Sequence, residues 1–239
     1  SQMASILILN HLVEKPTSVI GLATGNSPKG LYKEWVQAKK DLHIPVNKIH
    51  FFHLDEYAGL NENNPCSMAY FLKKNLLDPL EIPEEHRHFL KADAEDVATM
   101  CQNYEKAIQL LGGIDLQILG IGQNGHIAFN EPGTAFAHRT HPNLLTEETR
   151  RANQKYFSQQ PVPTQAITMG PQTILEAGKI LLLASGAEKA LAIKGMLQGP
   201  IEESCPASIL QSHPDVTVIV DKEAAQLLKP QEDISRTPT

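Results

Sequence analysis

The sequence predicts one α/β domain, a Rossmann-like open and mainly parallel sheet with helices on both faces. Three observations lead there. Short apolar runs, of which Lys179-Ile180-Leu181-Leu182-Leu183-Ala184-Ser185 is the strongest, read as strands buried on both faces. Stretches with apolar residues at helical spacing alternate with them. Several runs stop in polar, glycine-bearing loops, and in open α/β sheets ligands bind beyond the carboxyl ends of the strands.

Taken in order, residues 3–14 have helical spacing and then meet Pro16. A strand over 18–23 ends in Thr24-Gly25-Asn26-Ser27-Pro28, where Ser27 can cap and Pro28 can occupy the first turn of a helix over 28–39. A second strand over 48–54 is closed by Asp55-Glu56-Tyr57-Ala58-Gly59 and a polar loop through Asn61, Asn63, Asn64 and Pro65. Helices are expected over 67–77 and 94–111. The apolar run of Ile114, Leu116, Ile118, Leu119 and Ile121 reads as a central strand, and it stops at Gly120, Gly122 and Gly125.

The segment 137–163 has no strand period and is expected to be a helical or irregular excursion beside that loop. A short strand over 166–169, a short helix over 171–177, the strand 179–185 and a helix over 187–197 follow. A last strand over 216–220 leads to Asp221 as the N-cap of a helix ending at Leu228. The domain is expected to span 1–230, with 231–239 a frayed tail.

With 239 residues, 41% hydrophobic and 20% charged, the chain can bury a real core. No apolar run approaches the roughly eighteen residues of a membrane span. A formal charge of −6 and no long Lys/Arg cluster argue against nucleic acid as a partner. Cys66, Cys101 and Cys205 are odd in number and widely spaced, which suits reduced thiols in a cytoplasmic protein. The opening residues show no basic region or cleavage-like boundary of a signal peptide.

Gly120-Ile121-Gly122-Gln123-Asn124-Gly125 has the spacing of a dinucleotide fingerprint, but that turn must open into a helix, and this one runs on into Asn130-Glu131-Pro132-Gly133. The 24–30 stretch lacks the Lys-Ser/Thr pair of a phosphate loop, leaving backbone amides and hydroxyls that can meet an anion at a helix amino end or simply form a capped turn. Asp55, at a strand end, is either a general base raised by desolvation or a loop cap. Lys189 can reach an anion at its strand end or lie in solvent. His126, with Glu131 close enough to orient its ring, either transfers protons near neutral pH or is a hydrogen-bonded structural histidine of the loop. His86 and His88 form an HxH pair with no evident third ligand, so no metal site is expected.

At these residues the chain resembles the glucosamine-6-phosphate deaminases of the isomerase type. The resemblance rests on Leu22-Ala23-Thr24-Gly25-Asn26-Ser27-Pro28, Leu54-Asp55-Glu56-Tyr57, the run Leu119-Gly120-Ile121-Gly122-Gln123-Asn124-Gly125-His126-Ile127-Ala128-Phe129-Asn130-Glu131-Pro132-Gly133, and Gly186-Ala187-Glu188-Lys189-Ala190. It implies a cofactor-independent conversion of glucosamine 6-phosphate and water to fructose 6-phosphate and ammonia. Carried over, Asp55 moves the proton between C2 and C1 and His126 assists ring opening, supported by Glu131 and Asn124. Gly25, Asn26 and Ser27, with the neighbouring Thr24 and with Lys155 and Lys189, would hold the phosphate.

Some positions depart from the family. Asn124 stands where the longer hexameric members have Asp, and Lys155 where many have Arg, which loses the bidentate fork. His141 and Asn143 replace basic residues of the regulated members, so weak or absent activation by N-acetylglucosamine 6-phosphate is expected. The family usually opens with a strand before the first helix, so either a trimmed amino terminus or a missing edge strand is expected. The shorter Asn-type subgroup implies a monomer or small homo-oligomer. Two alternatives remain. A 6-phosphogluconolactonase would show Gly-Asp-Glu-Arg and Gly-His-Thr-Ala-Ser-Leu at the corresponding places. A non-catalytic sugar-phosphate sensor would keep the pocket and lose the proton-transfer groups.

Overall fold

The computed structural model describes residues 2–42, 44–158 and 160–229; the tail expected over 231–239 lies outside them. The strands are β1 (Val19–Leu22), β2 (His50–His53), β3 (Asp55–Tyr57), β4 (Arg87–His88), β5 (Leu116–Leu119), β6 (His141–Leu144), β7 (Gln165–Thr168), β8 (Lys179–Ala184) and β9 (Val216–Val220). The helices are α1 (Gln2–Glu14), α2 (Lys29–Leu42), α3 (Met68–Leu72), α4 (Val97–Leu110), α5 (Glu147–Asn153), α6 (Pro171–Leu175) and α7 (Ala190–Gln198), and α3 runs on into a π-helical turn, Lys73–Leu77. Among the described residues no helix is long and apolar enough to cross a membrane.

Six strands form one sheet in the order β4-β2-β1-β5-β8-β9. Every neighbouring pair in it is parallel. Such strands must be covered on both faces, which explains their continuous apolar character. Buried side chains from α1 (Ile8), α2 (Leu31, Trp35), α4 (Ile108), α6 (Ile174) and α7 (Ile193) join the strands in one core. Each such side chain contributes about 1.5–3 kcal/mol relative to exposure.

From β1 the chain steps outward to β2 and β4 and then returns to β5 on the other side of β1. The sheet therefore has its switch point between β1 and β5, the place where such folds open a crevice. These two strands approach closely at Gly21 and its partner Gln117. A Cβ at Gly21 would lie 2.0 Å from the buried Gln117 Oε1, so glycine is required there.

A second sheet, β3-β7-β6, is antiparallel. Leu54 joins the two sheets: its N–H donates to Leu22 O of the first at 3.1 Å, and its carbonyl accepts from Met169 N, just after β7, at 2.8 Å. Asp55 is thus the first residue beyond the parallel sheet. A smaller apolar cluster, including Tyr57, Phe129, Leu145 and Phe157, lies under this second sheet.

Three expectations are corrected. The 55–57 stretch is a strand rather than loop, because pairing with β7 overrides its polar sequence. The 137–163 excursion contains β6, whose side chains alternate between half-buried and exposed and whose Pro142 is tolerated because the strand lies at a sheet edge. The helix expected after Asp221 is a run of turns. Asp221 does cap it, accepting from Ala224 N at 2.8 Å, but only Ala224 there is fully buried, too little apolar contact to hold a helix.

Candidate active site

A cavity of about 620 Å³ opens at the switch point. Its wall includes Thr24, Gly25, Asn26 and Ser27 after β1, Asp55 at the start of β3, Asn124 and His126 after β5, Lys155 after α5, and Lys189 after β8. Glu131 stands behind His126, only 4% exposed. All ten residues singled out from the sequence are therefore brought to one place, from loops separated by more than a hundred positions.

Asp55 is buried, and its Oδ1 has no hydrogen-bond partner. Burial, reinforced by the neighbouring Glu56 carboxylate, pushes its carboxyl up to about 7. A carboxylate so raised is a competent proton acceptor near neutral pH.

The imidazole opposite is held by a relay. His126 Nδ1 lies 2.7 Å from Asn124 Oδ1, and Asn124 Nδ2 donates to Glu131 Oε2 at 2.9 Å. Glu131 can only accept when ionised, so the amide must turn its NH₂ toward Glu131 and its oxygen toward His126. The His126 backbone N–H meets the same oxygen at 3.2 Å. Nδ1 therefore carries the proton in neutral His126, and Nε2 keeps the lone pair. Thr146 fixes the other end, donating to Glu131 Oε1 from both its N–H and its hydroxyl at 3.2 Å. Burial alone would raise the Glu131 carboxyl; His126, Thr149 and Asn124 outweigh it and bring it down to about 2.

Gly122 makes room for the ring, since a Cβ there would fall 2.3–2.5 Å from three atoms of the imidazole. Gly122 N also donates to His126 O at 2.8 Å, closing the turn. The glycines read from sequence as a fingerprint serve here as a close support for His126.

The 24–27 loop turns through Gly25 at φ +87°, a conformation that glycine adopts freely. Thr24 is not free to face a ligand with its hydroxyl, which donates to Met68 Sδ at 2.8 Å. Lys189 is partly buried; burial lowers its ammonium, Glu188 opposes this, and Lys155 lowers it further. Two cations that feel one another thus line the same cavity as Asp55 and His126. The cations can hold a dianion while the carboxyl and the imidazole move protons.

Glu56, Thr146 and Thr149 belong to the site and were not singled out. Thr149 Oγ1 lies 3.5 Å from His126 Nδ1. The signal for the threonines was present, because Thr146 is the N-cap of α5 and accepts from Thr149 N at 3.2 Å. The HxH pair does meet a third histidine, with His50 Nδ1 3.0 Å from His88 Nε2. The rings bond and stack on one another, and among the described residues no three His, Cys, Asp or Glu side chains are placed to hold a metal ion.

Known proteins resemble this chain along nearly its whole length. The family model described as glucosamine-6-phosphate isomerases/6-phosphogluconolactonase matches residues 6–219. A glucosamine-6-phosphate deaminase of Thermoanaerobacter pseudethanolicus is 46% identical over 235 residues, 98% of this chain and 92% of the relative. One from Halothermothrix orenii is 47% identical over 229 residues, 95% of each chain. The solved structure of a monomeric glucosamine-6-phosphate deaminase superposes with a TM-score of 0.92 at 42% identity, covering 95% of each chain. A 6-phosphogluconolactonase from Trypanosoma brucei gives 0.73 at 22% identity, which shows a shared fold.

Proposed function

The chain belongs to the glucosamine-6-phosphate isomerase and 6-phosphogluconolactonase family, and from that premise we infer that it converts glucosamine 6-phosphate and water to fructose 6-phosphate and ammonia. The observation that carries this within the family is the buried Asp55, held near 7, on the same cavity as an imidazole whose tautomer is set by Asn124 and Glu131.

The order of steps follows from acidity. The C2 proton is too weakly acidic while C1 is closed in the ring; an open-chain carbonyl lets the resulting charge spread into an enolamine. Ring opening comes first. His126 Nε2, with its lone pair free, takes the proton of the anomeric hydroxyl and passes it to the ring oxygen as the bond between C1 and the ring oxygen breaks. Asp55 then removes the C2 proton while O1 takes one from the amino group, giving the enolamine, and Asp55 delivers its proton to C1. The product is an imine at C2, which water hydrolyses to the ketose and ammonia. The Asp55 carboxyl returns to its starting state, so no redox partner enters the balance. Lys155, Lys189 and the amides of 25–27 hold the phosphate, keeping C1 and C2 between the two proton carriers.

We place the protein in the cytoplasm as a monomer or small homo-oligomer acting on a sugar phosphate alone. The three free thiols and the monomeric relative support this. Activation by N-acetylglucosamine 6-phosphate should be weak or absent. Burial lowers the His141 imidazole from its ordinary value, which disfavours a cation there, and the uncharged Asn143 has its Nδ2 donating to Phe129 O at 2.8 Å.

The lactonase reading has the shared family model and fold likeness at 22% identity in its favour, against relatives named deaminases at 46% and 47% identity. Turnover of glucosamine 6-phosphate with no hydrolysis of 6-phosphogluconolactone above its spontaneous rate is the expected result; lactone turnover without ammonia release would move the chain to the lactonases. Bound sugar phosphate with turnover of neither compound would make it a sensor.

A further inference from the structure

Asp55 and Glu56 are consecutive residues of β3, so their side chains point to opposite faces. Asp55 faces the cavity. Glu56 faces inward, is 1% exposed, and meets four donors and no acceptor. Its Oε1 accepts from Tyr57 N at 2.9 Å and Met68 N at 3.0 Å, and its Oε2 from Ser67 Oγ at 2.8 Å and Ala69 N at 3.0 Å. Three of these donors belong to the entry of α3. Met68 in turn takes the Thr24 hydroxyl on its sulfur at 2.8 Å. A continuous line of contacts therefore runs from the strand that carries Asp55, through Glu56 and Met68, to the loop proposed to hold the phosphate.

We propose that Glu56 is a positioning residue for the proton transfer, fixing Asp55 relative to the 24–27 loop and setting the charge that Asp55 meets from behind. The proposal rests on Asp55 being the base. A carboxylate buried this deeply is retained at a cost unless fully bonded, and a neutral cap for α3 would meet the needs of the helix alone. The added consequence of a charge is felt at Asp55, where Glu56 is the second cause, after burial, of the raised carboxyl.

The elements packed against the pair bring one histidine and three tyrosines, and the cavity that Asp55 faces adds His126, Lys155 and Lys189. On β2, His53 takes the Leu90 N–H on Nδ1 at 3.1 Å, so its Nε2 carries the proton and turns it toward Glu56 Oε2, 3.6 Å away. On α2 and α4, burial first of all raises the phenols of Tyr32 and Tyr104, and on β3 it does the same for Tyr57. Glu56 is the neighbour whose charge adds to burial in raising Asp55.

The test is the pH dependence of kcat and KM for glucosamine 6-phosphate in the wild-type protein, Glu56→Gln, Glu56→Asp and Met68→Leu. In Glu56→Gln the acid limb of kcat/KM should move down by about one pH unit, because a lost like charge eases ionisation of Asp55. Its plateau should fall on the order of 10²-fold, as the base is both weaker and misplaced. Glu56→Asp keeps the charge and shortens the reach, so kcat should fall with the limb in place. Met68→Leu conserves volume and removes the Thr24 partner, so KM should rise several-fold with the limb unmoved.

A Glu56→Gln protein with wild-type limb and plateau overturns the proposal, as does a lower plateau with an unmoved limb, which marks a structural cap only. If Glu56→Gln does not fold, Glu56→Asp and Met68→Leu decide: unchanged kcat in the first or unchanged KM in the second overturns it. Wild-type protein that releases no ammonia would instead remove the reaction itself.

Discussion

Asn124 turns its amide oxygen to His126 Nδ1 at 2.7 Å while its NH₂ is held by Glu131 at 2.9 Å, so a neutral side chain passes the orientation of a buried carboxylate on to an imidazole. The carboxylate itself stays 3.6 Å from the ring. Asn124→Ala removes the link. Without it Nδ1 and Nε2 compete for the proton, and kcat should fall on the order of 10²-fold with little change in KM. Steady-state kinetics check this; a change confined to KM would mean that Asn124 binds substrate rather than setting the tautomer.

Gly122→Ala tests the same ring from its other side. The new Cβ cannot coexist with an imidazole atom at 2.3 Å, and the ring must move. A shift of this size at a reacting group costs on the order of 10²-fold in kcat. Wild-type kcat in a folded variant would show that His126 has room to spare and that its position is not critical.

Asp55→Asn should abolish exchange of the C2 proton with solvent, followed by NMR in deuterated water, while sugar-phosphate affinity is kept. It should also change stability with a definite sign. The folded carboxyl titrates at about 7 against an ordinary 3.8. Between those values the folded protein holds a proton that the unfolded chain has lost, so the contribution of Asp55 is full below the ordinary value and is lost as pH rises through about 7. The amide avoids this loss. In urea unfolding the variant should gain stability over wild type at pH 8 by an amount on the order of a few kcal/mol, and little at pH 4. An equal difference at both pH values would contradict the burial of a titrating Asp55.

Lys189→Ala should raise KM about 10- to 100-fold, the loss of one charge-assisted hydrogen bond, with a smaller effect on kcat. Lys155→Ala should do the same more weakly, because Lys155 is the more exposed of the two. Inorganic phosphate should inhibit the wild type competitively and lose potency in both variants. Unchanged phosphate inhibition in Lys189→Ala would take that residue out of the anion site.

Much of this arrangement is legible in the chain itself. The parallel strands announce themselves because burial on both faces demands unbroken apolar runs, as at 179–185, and the site residues other than Lys155 sit in the segments that follow those runs. What stays hidden depends on partners far away in sequence. β3 is three polar residues whose strand character comes from β7, more than a hundred positions on. β6 carries Pro142 and an edge pattern, so no apolar period marks it. Glu56 is visible beside Asp55, but its role is written in Ser67, Met68 and Ala69, which reach it only once α3 folds back over β3. Thr146 and Thr149 lie in a stretch whose polar composition conceals a short capped helix.

The central claim is that one cavity opens the ring of an amino-sugar phosphate and moves its C2 proton to C1. Its most direct test is a coupled assay on the purified protein given glucosamine 6-phosphate, with a chelator and no cofactor, run with and without N-acetylglucosamine 6-phosphate. The account predicts ammonia and fructose 6-phosphate in equal amounts, at rates that differ less than about twofold with the effector, since His141 and Asn143 stand where regulated members carry basic residues. Folded protein that binds the sugar phosphate and releases no ammonia would contradict it.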